Sequence, residues 1–279
     1  MAQVCLYSFS PMSFPVIFNL WGFSLHSHTL FECLGYFLGF QTYLLMRRNH
    51  PAQSVPTHQM VWVLVGAIFG AWFGSKLLAI AEQTGFDLSR IDLATLWAGK
   101  TIVGGLLGGW VGVEIAKFAL RIPYRTGDLL VIPLAIGMAV GRVGCFLAGL
   151  ADNTHGNPTS LPIGLDFGDG IPRHPTQLYD IALLGLLSGV VWFSRIGNAS
   201  PGDKFRFFLS GYLAYRFMVE FIKPSPKEYL GLSAIQWACL VGCLICVIQL
   251  IVRHRQKRQS GGPPVAISIA SPASSSQSA

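Results

Sequence analysis

Three places along this chain put ionisable side chains among apolar neighbours, where charge is costly and a purpose is expected. His28 and Glu32 stand four residues apart and so share one helix face. A carboxylate there can orient an imidazole and make it a general base. The competing reading puts both at an outer headgroup boundary, where polarity is cheap. Arg142 follows a run of apolar residues and sits between Gly141 and Gly144. A guanidinium near a helix end can hold a phosphate through two parallel hydrogen bonds, and flanking glycines let a bulky group approach the backbone. A snorkelling arginine that anchors its helix is the alternative. Tyr212, Tyr215, Arg216 and Glu220 cluster on a later segment, with Arg216 and Glu220 at i,i+4. They read either as a structural salt bridge between helices or as a second phosphate-facing arginine positioned by Glu220. Two arginines on separate helices facing one cavity would clamp an anion in low dielectric, where charge stabilisation exceeds that in water.

Between these arginines lies Arg173-His174-Pro175-Thr176-Gln177-Leu178-Tyr179-Asp180. Pro175 presets a first helical turn, and Thr176, Gln177 and Asp180 offer polar groups near its start. Capping explains part of this block but not the joint occurrence of His174, Gln177 and Tyr179. The chain has no nucleotide-binding glycine fingerprint followed by an acidic residue, no HExxH and no P-loop. No metal and no organic cofactor are expected: His26 and His28 are two apart and point to different helix faces.

The elements that must position these groups are membrane helices. Of 279 residues, 52% are hydrophobic and 12% charged, about half the charge of soluble domains. That excludes a water-soluble enzyme and a disordered chain. Runs long enough for a bilayer lie near 28–46, 60–80, 93–118, 128–148, 177–194, 205–222 and 232–252. The expected fold is an all-α membrane protein, a seven-helix transmembrane bundle with an outer-face loop region. Arg47 and Arg48, Arg121 and Arg125, then Arg195, Lys204 and Arg206, then Arg253, Arg255, Lys257 and Arg258 all fall on one side of seven spans. That side is predicted to be cytoplasmic, with the N-terminus outside, although Arg90, Arg173, Lys223 and Lys227 fall opposite. The net charge of +7 thus matches anionic lipid and the positive-inside rule, and nucleic acid is not an expected partner.

Three regions are predicted: an interfacial segment over 1–27, a membrane domain over 28–252 and a basic, then Ser/Pro-rich and disordered, cytoplasmic tail over 253–279. The apolar stretch Phe14 to Leu25 is too short to cross and is expected to lie at the outer interface or re-enter the bilayer. A charged n-region is missing before Arg47, so no signal peptide is expected. The connection from about Gly149 to Pro175 is long enough to be functional or mobile. Gly66, Gly70 and Gly74, and likewise Gly104, Gly108 and Gly112, repeat every four residues, a spacing that lets helices touch in lipid. Of six cysteines, five lie in apolar stretches and Cys5 near the start, so no disulfide framework is readable; the CxxC of Cys243 and Cys246 reads as packing.

GRVGCF at 141–146, DFGDG at 166–170, RHPTQLYD at 173–180 and GYLAYRFMVEF at 211–221, taken together and in this order, resemble the prolipoprotein diacylglyceryl transferase family. The similarity covers roughly 18–252. The resemblance implies a multi-pass bacterial inner-membrane enzyme that moves a diacylglyceryl group from phosphatidylglycerol to the lipobox cysteine thiol of a prolipoprotein signal peptide, releasing glycerol phosphate. By this resemblance Arg142 within Gly141–Gly144 binds phosphatidylglycerol. Arg216 is a second essential arginine with Tyr212 and Glu220 as companions, and His174, Gln177 and Tyr179 fall on the HPxQLY block. Three departures stand out. Val103-Gly104-Gly105 replaces His-Gly-Gly; Cys145 replaces the asparagine of GRxGN, with Ala148-Gly149-Leu150 in place of its Asn/Glu-containing continuation; and Glu32 aligns with the family's first-helix tyrosine. His28, supported by Glu32, is therefore expected to deprotonate the acceptor thiol, with His174 as the fallback base. The alternatives are a related transferase with another acceptor and a non-catalytic phosphatidylglycerol-binding protein.

Overall fold

The structure, a computed structural model, describes residues 14–20, 23–50, 56–85, 99–122, 125–193 and 201–259. Cys5, Arg90, Arg195 and the tail from Ser260 lie outside the described residues. Seven long helices follow one another among them: α1 (Ser27–Asn49), α2 (Thr57–Thr84), α3 (Ile102–Ala119), α4 (Val131–Ala148), α5 (Thr176–Phe193), α6 (Asp203–Val219) and α7 (Ala234–Gln259). Each falls on a predicted span, with three local differences. The third helix begins at Ile102 rather than near 93, because Thr101 is extended and gives its N–H to the Ser75 hydroxyl at 2.9 Å. α7 runs on to Gln259, which puts Arg253 and Arg255 on its last turns, where cations suit the helix dipole. The apolar stretch before α1 is a hairpin, β1 (Ile17–Leu20) against β2 (Phe23–His26), with Ile17 opposite His26. Its β-branched and aromatic residues favour strand, and pairing lets the backbone satisfy itself.

Five of the helices are long and apolar enough to cross a membrane. The other two, α1 and α6, carry His28, Glu32, Arg206 and Arg216. Large apolar side chains point away from the bundle, among them Phe69, Trp72 and Phe118, the last 88% exposed. In water such a surface would aggregate; in lipid it is the solvent-facing side. This is a multi-pass, all-α membrane protein.

Glycine sets the helix contacts. α2 meets α3 along the two glycine rows: a Cβ at Gly66 would stand 2.7 Å from the Gly112 carbonyl oxygen, and Gly70 and Gly74 meet Gly108 and Gly104 still more tightly. α1 meets α4 likewise, with Gly35 against the Gly137 carbonyl. A side chain at these positions would drive the backbones apart. The buried apolar core lies chiefly among α4, α5, α6 and α7, where Val131, Leu184, Phe208, Leu209, Leu213 and Cys239 are fully buried. At the end of the bundle where the predicted cytoplasmic clusters lie, Asp128 accepts hydrogen bonds from the N–H groups of Gly202 (2.7 Å) and Phe205 (3.0 Å) and so caps α6. At the opposite end the chain from Gly149 to Pro175 folds over the starts of α1 and α5 and the end of α4.

Candidate active site

α4 supplies the centre of the site. Its last turns carry Arg142 and Cys145, and a 3-10 turn over Gly149–Asp152 then reverses the chain. Gly149 has φ +63°, a conformation that suits glycine, and the reversal brings Asp152 back over the start of α1. From the next helix Thr176 and Gln177 reach into the same loop. Gln177 Nε2 donates to Thr154 Oγ1 at 3.0 Å, Thr176 Oγ1 donates to the Thr154 carbonyl, and Thr154 Oγ1 donates to Asp152 Oδ2 at 2.8 Å. The HPTQ segment therefore ties the outer loop down on the bundle.

Inside this cover lies a buried charge cluster. Arg142 pairs with Asp180 of α5 at 2.5 Å, and Arg216 of α6 donates through Nη2 to Glu220 at 2.8 Å. Glu220 also accepts a hydrogen bond from the Ser225 hydroxyl. All four charged residues are at most 5% exposed. Both guanidinium groups interact electrostatically with Asp180 and with Tyr212, so two helices aim positive charge at one place. Tyr215 sets its hydroxyl beside Asp180. Among the described residues Arg216 Nε and Nη1, Tyr212 Oη and Gln177 Oε1 are buried without a hydrogen-bond partner. Buried polar atoms are normally paired; here the Tyr215 hydroxyl and Asp180 Oδ1 are also without a hydrogen-bond partner among the described residues, so the cluster holds several unsatisfied polar atoms. Lys223, just beyond α6, adds a third cation. Burial, with the neighbouring Arg216 and Arg142, pulls its ammonium down to about 8 against the pull of Glu220 and Asp180.

A second cluster sits at the mouth. His28 Nδ1 lies 2.8 Å from Asp152 Oδ1 and 3.7 Å from Cys145 Sγ, and its Nε2 lies 3.5 Å from Glu32 Oε2. Glu32 is held in turn by Lys100 at 2.8 Å and by the Tyr36 hydroxyl at 2.9 Å. Arg142 joins the two clusters, since its Nη1 lies 3.9 Å from Cys145 Sγ. His28 Nδ1, Cys145 Sγ and Asp152 Oδ1 all lie within 4.8 Å of one another, from three different elements. A search along single helices for ligand spacing does not see such a group.

The placements divide the residues singled out by sequence. Arg142, Arg216, Tyr212 and Glu220 come together, Gln177 binds the loop through Thr154, and His28 and Glu32 come together at the mouth. His174 does not join either group; its Nδ1 is 3.1 Å from the Tyr179 hydroxyl, and its backbone pairs with Gly156 and Asn157. Its role here is to hold the loop. Gly141 faces open space, with nothing within 4 Å of where a Cβ would stand, but Gly144 packs on α1, where a Cβ would meet Phe31 at 2.6 Å. Gly144 is thus a helix-contact glycine rather than a headgroup one. Val103, where the resemblance leads one to look for a histidine, is 1% exposed in the apolar core. Sequence reasoning read Asp180 only as a cap and left Asp152, Cys145 and Lys223 out of the site. A carboxylate three residues after Gln177, on the same helix face, is the signal that could have found Asp180.

A sequence profile of the prolipoprotein diacylglyceryl transferase family matches residues 15–252. The chain belongs to that family. It is similar to a phosphatidylglycerol–prolipoprotein diacylglyceryl transferase of Bordetella bronchiseptica, 29% identical over 80% of this chain and 87% of the relative. The protein of the same name from Nitrosomonas europaea is 31% identical over 74% of this chain and 79% of the relative. That of Clostridium tetani is 30% identical over 88% and 99%. The shared name of these relatives gives phosphatidylglycerol, a lipid, and the prolipoprotein, a protein, as what they act on.

Proposed function

We propose that this chain moves the diacylglyceryl group of phosphatidylglycerol to the lipobox cysteine thiol of a prolipoprotein, at the outer face of the bacterial inner membrane. The observation that carries this reading is the buried arginine pair, with Arg216 Nε and Nη1 and the Tyr212 hydroxyl unpartnered among the described residues at the same place. Arg142, Arg216 and Lys223 gather three cations here against Asp180 and Glu220, with the Glu82 carboxylate of α2 also in electrostatic reach of Arg216. A phosphodiester carries the negative charge that such a group of cations attracts. Gly141, open on its Cβ side, gives the headgroup room.

The chemistry asks for three things. The acceptor must attack as a thiolate, the glycerol carbon must lie in line with it, and the departing phosphate must meet positive charge. The arginine cluster supplies the third. Toward the second, the Arg142 guanidinium reaches Asp180 on one side and Cys145 on the other, so the mouth cluster lies beside the arginine cluster. For the first, Asp152 holds His28 Nδ1 and Glu32 faces its Nε2, an oriented imidazole between two carboxylates at the part-exposed mouth, where an arriving thiol gives up its proton. Asp152 thus takes the orienting place that sequence gave to Glu32, which is engaged by Lys100. The attacking sulfur forms the C–S bond as the C–O bond to phosphate breaks, and glycerol phosphate leaves with the electron pair.

The test is transfer of labelled diacylglyceryl from phosphatidylglycerol vesicles to a lipobox peptide by the reconstituted chain. The wild type should alkylate the cysteine and release glycerol phosphate in equal amounts, and Arg216→Lys should lower the rate about 10²–10³-fold. Tight lipid binding with no glycerol phosphate released would instead make this a lipid-binding protein, and release without peptide alkylation would point to another acceptor.

A further inference from the structure

We propose that His28, Cys145 and Asp152 form a zinc site whose open fourth position takes the acceptor thiol. The proposal rests on the transfer reading for what the ion does, but not for whether it binds. A catalytic zinc has three protein ligands drawn from histidine nitrogen, cysteine sulfur and carboxylate oxygen, with the fourth position free. The mixture of one soft, one intermediate and one hard donor suits zinc better than magnesium or calcium, which prefer oxygen alone. The three ligand atoms converge from α1, α4 and the Gly149–Asp152 turn to within 4.8 Å of one another. Tetrahedral zinc sets such atoms roughly 3.3–3.6 Å apart. Cys145 Sγ and His28 Nδ1, at 3.7 Å, already fit, and His28 Nδ1 and Asp152 Oδ1, at 2.8 Å, would part by about half an ångström to admit the ion.

The surroundings are those of a ligand set rather than of a chance contact. A metal-bound imidazole usually turns its other nitrogen toward a carboxylate. With Nδ1 on the ion, His28 Nε2 faces Glu32, which Lys100 and Tyr36 hold in place. Asp152 has its second oxygen occupied by the Thr154 hydroxyl, leaving Oδ1 for the ion. Arg142 Nη1 lies 3.9 Å from Cys145 Sγ and so brings the ligand set up against the arginine cluster. Cys145 is buried, whereas the His28 side chain is 33% exposed, so solvent reaches the ligand set from the His28 side.

The site also answers a chemical question left by Cys145. A thioether formed on this sulfur could not pass its alkyl group to a second thiol, because a thiolate on carbon is a poor leaving group, so Cys145 is no covalent carrier. As a ligand it has a use. Zinc with a cysteine thiolate and an aspartate is neutral, so an acceptor thiol that binds it loses its proton to water and keeps its negative charge on sulfur. That sulfur forms the C–S bond, the C–O bond to phosphate breaks, and the electron pair leaves on glycerol phosphate beside Arg142.

The full chain is purified in detergent, stripped with chelator and titrated with zinc; metal content is then measured after desalting, and cobalt is substituted for its visible spectrum. About one zinc per chain is expected, and the cobalt form should show a sulfur-to-metal charge-transfer band that Cys145→Ser abolishes. Glu32→Gln, which changes only the group behind His28, should weaken zinc about 10–100-fold. Retained binding of phosphatidylglycerol by both variants certifies their fold. Peptide transfer is assayed on the same preparations. A wild type that takes up no zinc, or the same zinc in Cys145→Ser, overturns the site, as does full transfer by the stripped chain. Zinc bound with these losses, but with no transfer by the loaded wild type, keeps the site and removes the transfer reading instead.

Discussion

The arginine cluster and the His28 cluster share one stretch of α4 and its turn, residues 142–152, yet they are built in opposite ways. Arg142, Asp180, Arg216 and Glu220 are sealed between helices, each charge with an opposite one at hand. His28, Glu32 and Lys100 lie part-exposed at the mouth, and their partners come from the outer loop and from neighbouring helices. Burial makes the first cluster rigid and strongly charged, which suits a group that stays in place and receives a phosphate. Partial exposure lets the second exchange protons or a ligand with an arriving peptide. The difference teaches that charge strength and access are separated by depth along a single helix.

Breaking the buried cluster should have the largest effect. Arg142→Gln leaves the Asp180 carboxylate uncompensated and should destabilise the chain by about 3–5 kcal/mol as well as removing activity. Arg142→Gln with Asp180→Asn removes both charges, so thermal unfolding should return most of the way toward wild type while peptide transfer stays absent. Recovery of transfer in the double variant would show that the arginine serves only the fold. At the mouth the expectation is milder and of another kind. His28→Gln should slow transfer about 10²-fold or more with little change in unfolding temperature or lipid binding, as measured on the same vesicles.

Lys223 sharpens the comparison because its charge is adjustable. Its ammonium is held near 8, so the third cation is present below that pH and lost as pH rises through it. Phosphatidylglycerol binding should therefore weaken several-fold between about pH 7 and 9, by roughly the cost of one charge contact, and Lys223→Arg should flatten that dependence. A wild-type affinity constant across this range would remove Lys223 from the phosphate site. The smallest effect is expected outside both clusters. Asp169 and Arg173 pair at 2.6 Å on the exposed β3–β4 hairpin (Leu165–Asp166 and Pro172–Arg173), and the arginine holds the carboxyl below its usual range. Arg173→Ala should change stability by no more than about 0.5 kcal/mol and transfer less than twofold.

Much of the architecture was legible because a bilayer imposes a length and a composition on every crossing segment. The seven helices and the glycine rows of α2 and α3 follow from that rule and from the bare spacing of small residues. Arg142, Arg216 and Glu220 were legible for the same reason: a charge among apolar residues stands out without any knowledge of what it faces. The misreadings share a different cause. Gly144 sits one turn from Gly141 in a motif that treats them alike, and only α1 packing on one of them tells them apart. His174 carries a ring suited to proton transfer, but the loop turns it toward Tyr179.

What the sequence determined by itself is which groups the membrane would have to tolerate and where the long apolar helices lie, since hydrocarbon sets both from local composition. The tertiary structure alone decided which of those groups meet. Asp180 opposite Arg142, and Asp152 with Cys145 around His28, join residues that are far apart in the chain or lie on different elements. Such meetings depend on how helices pack and where a turn reverses, and the glycine contacts that fix those distances act between segments rather than within one.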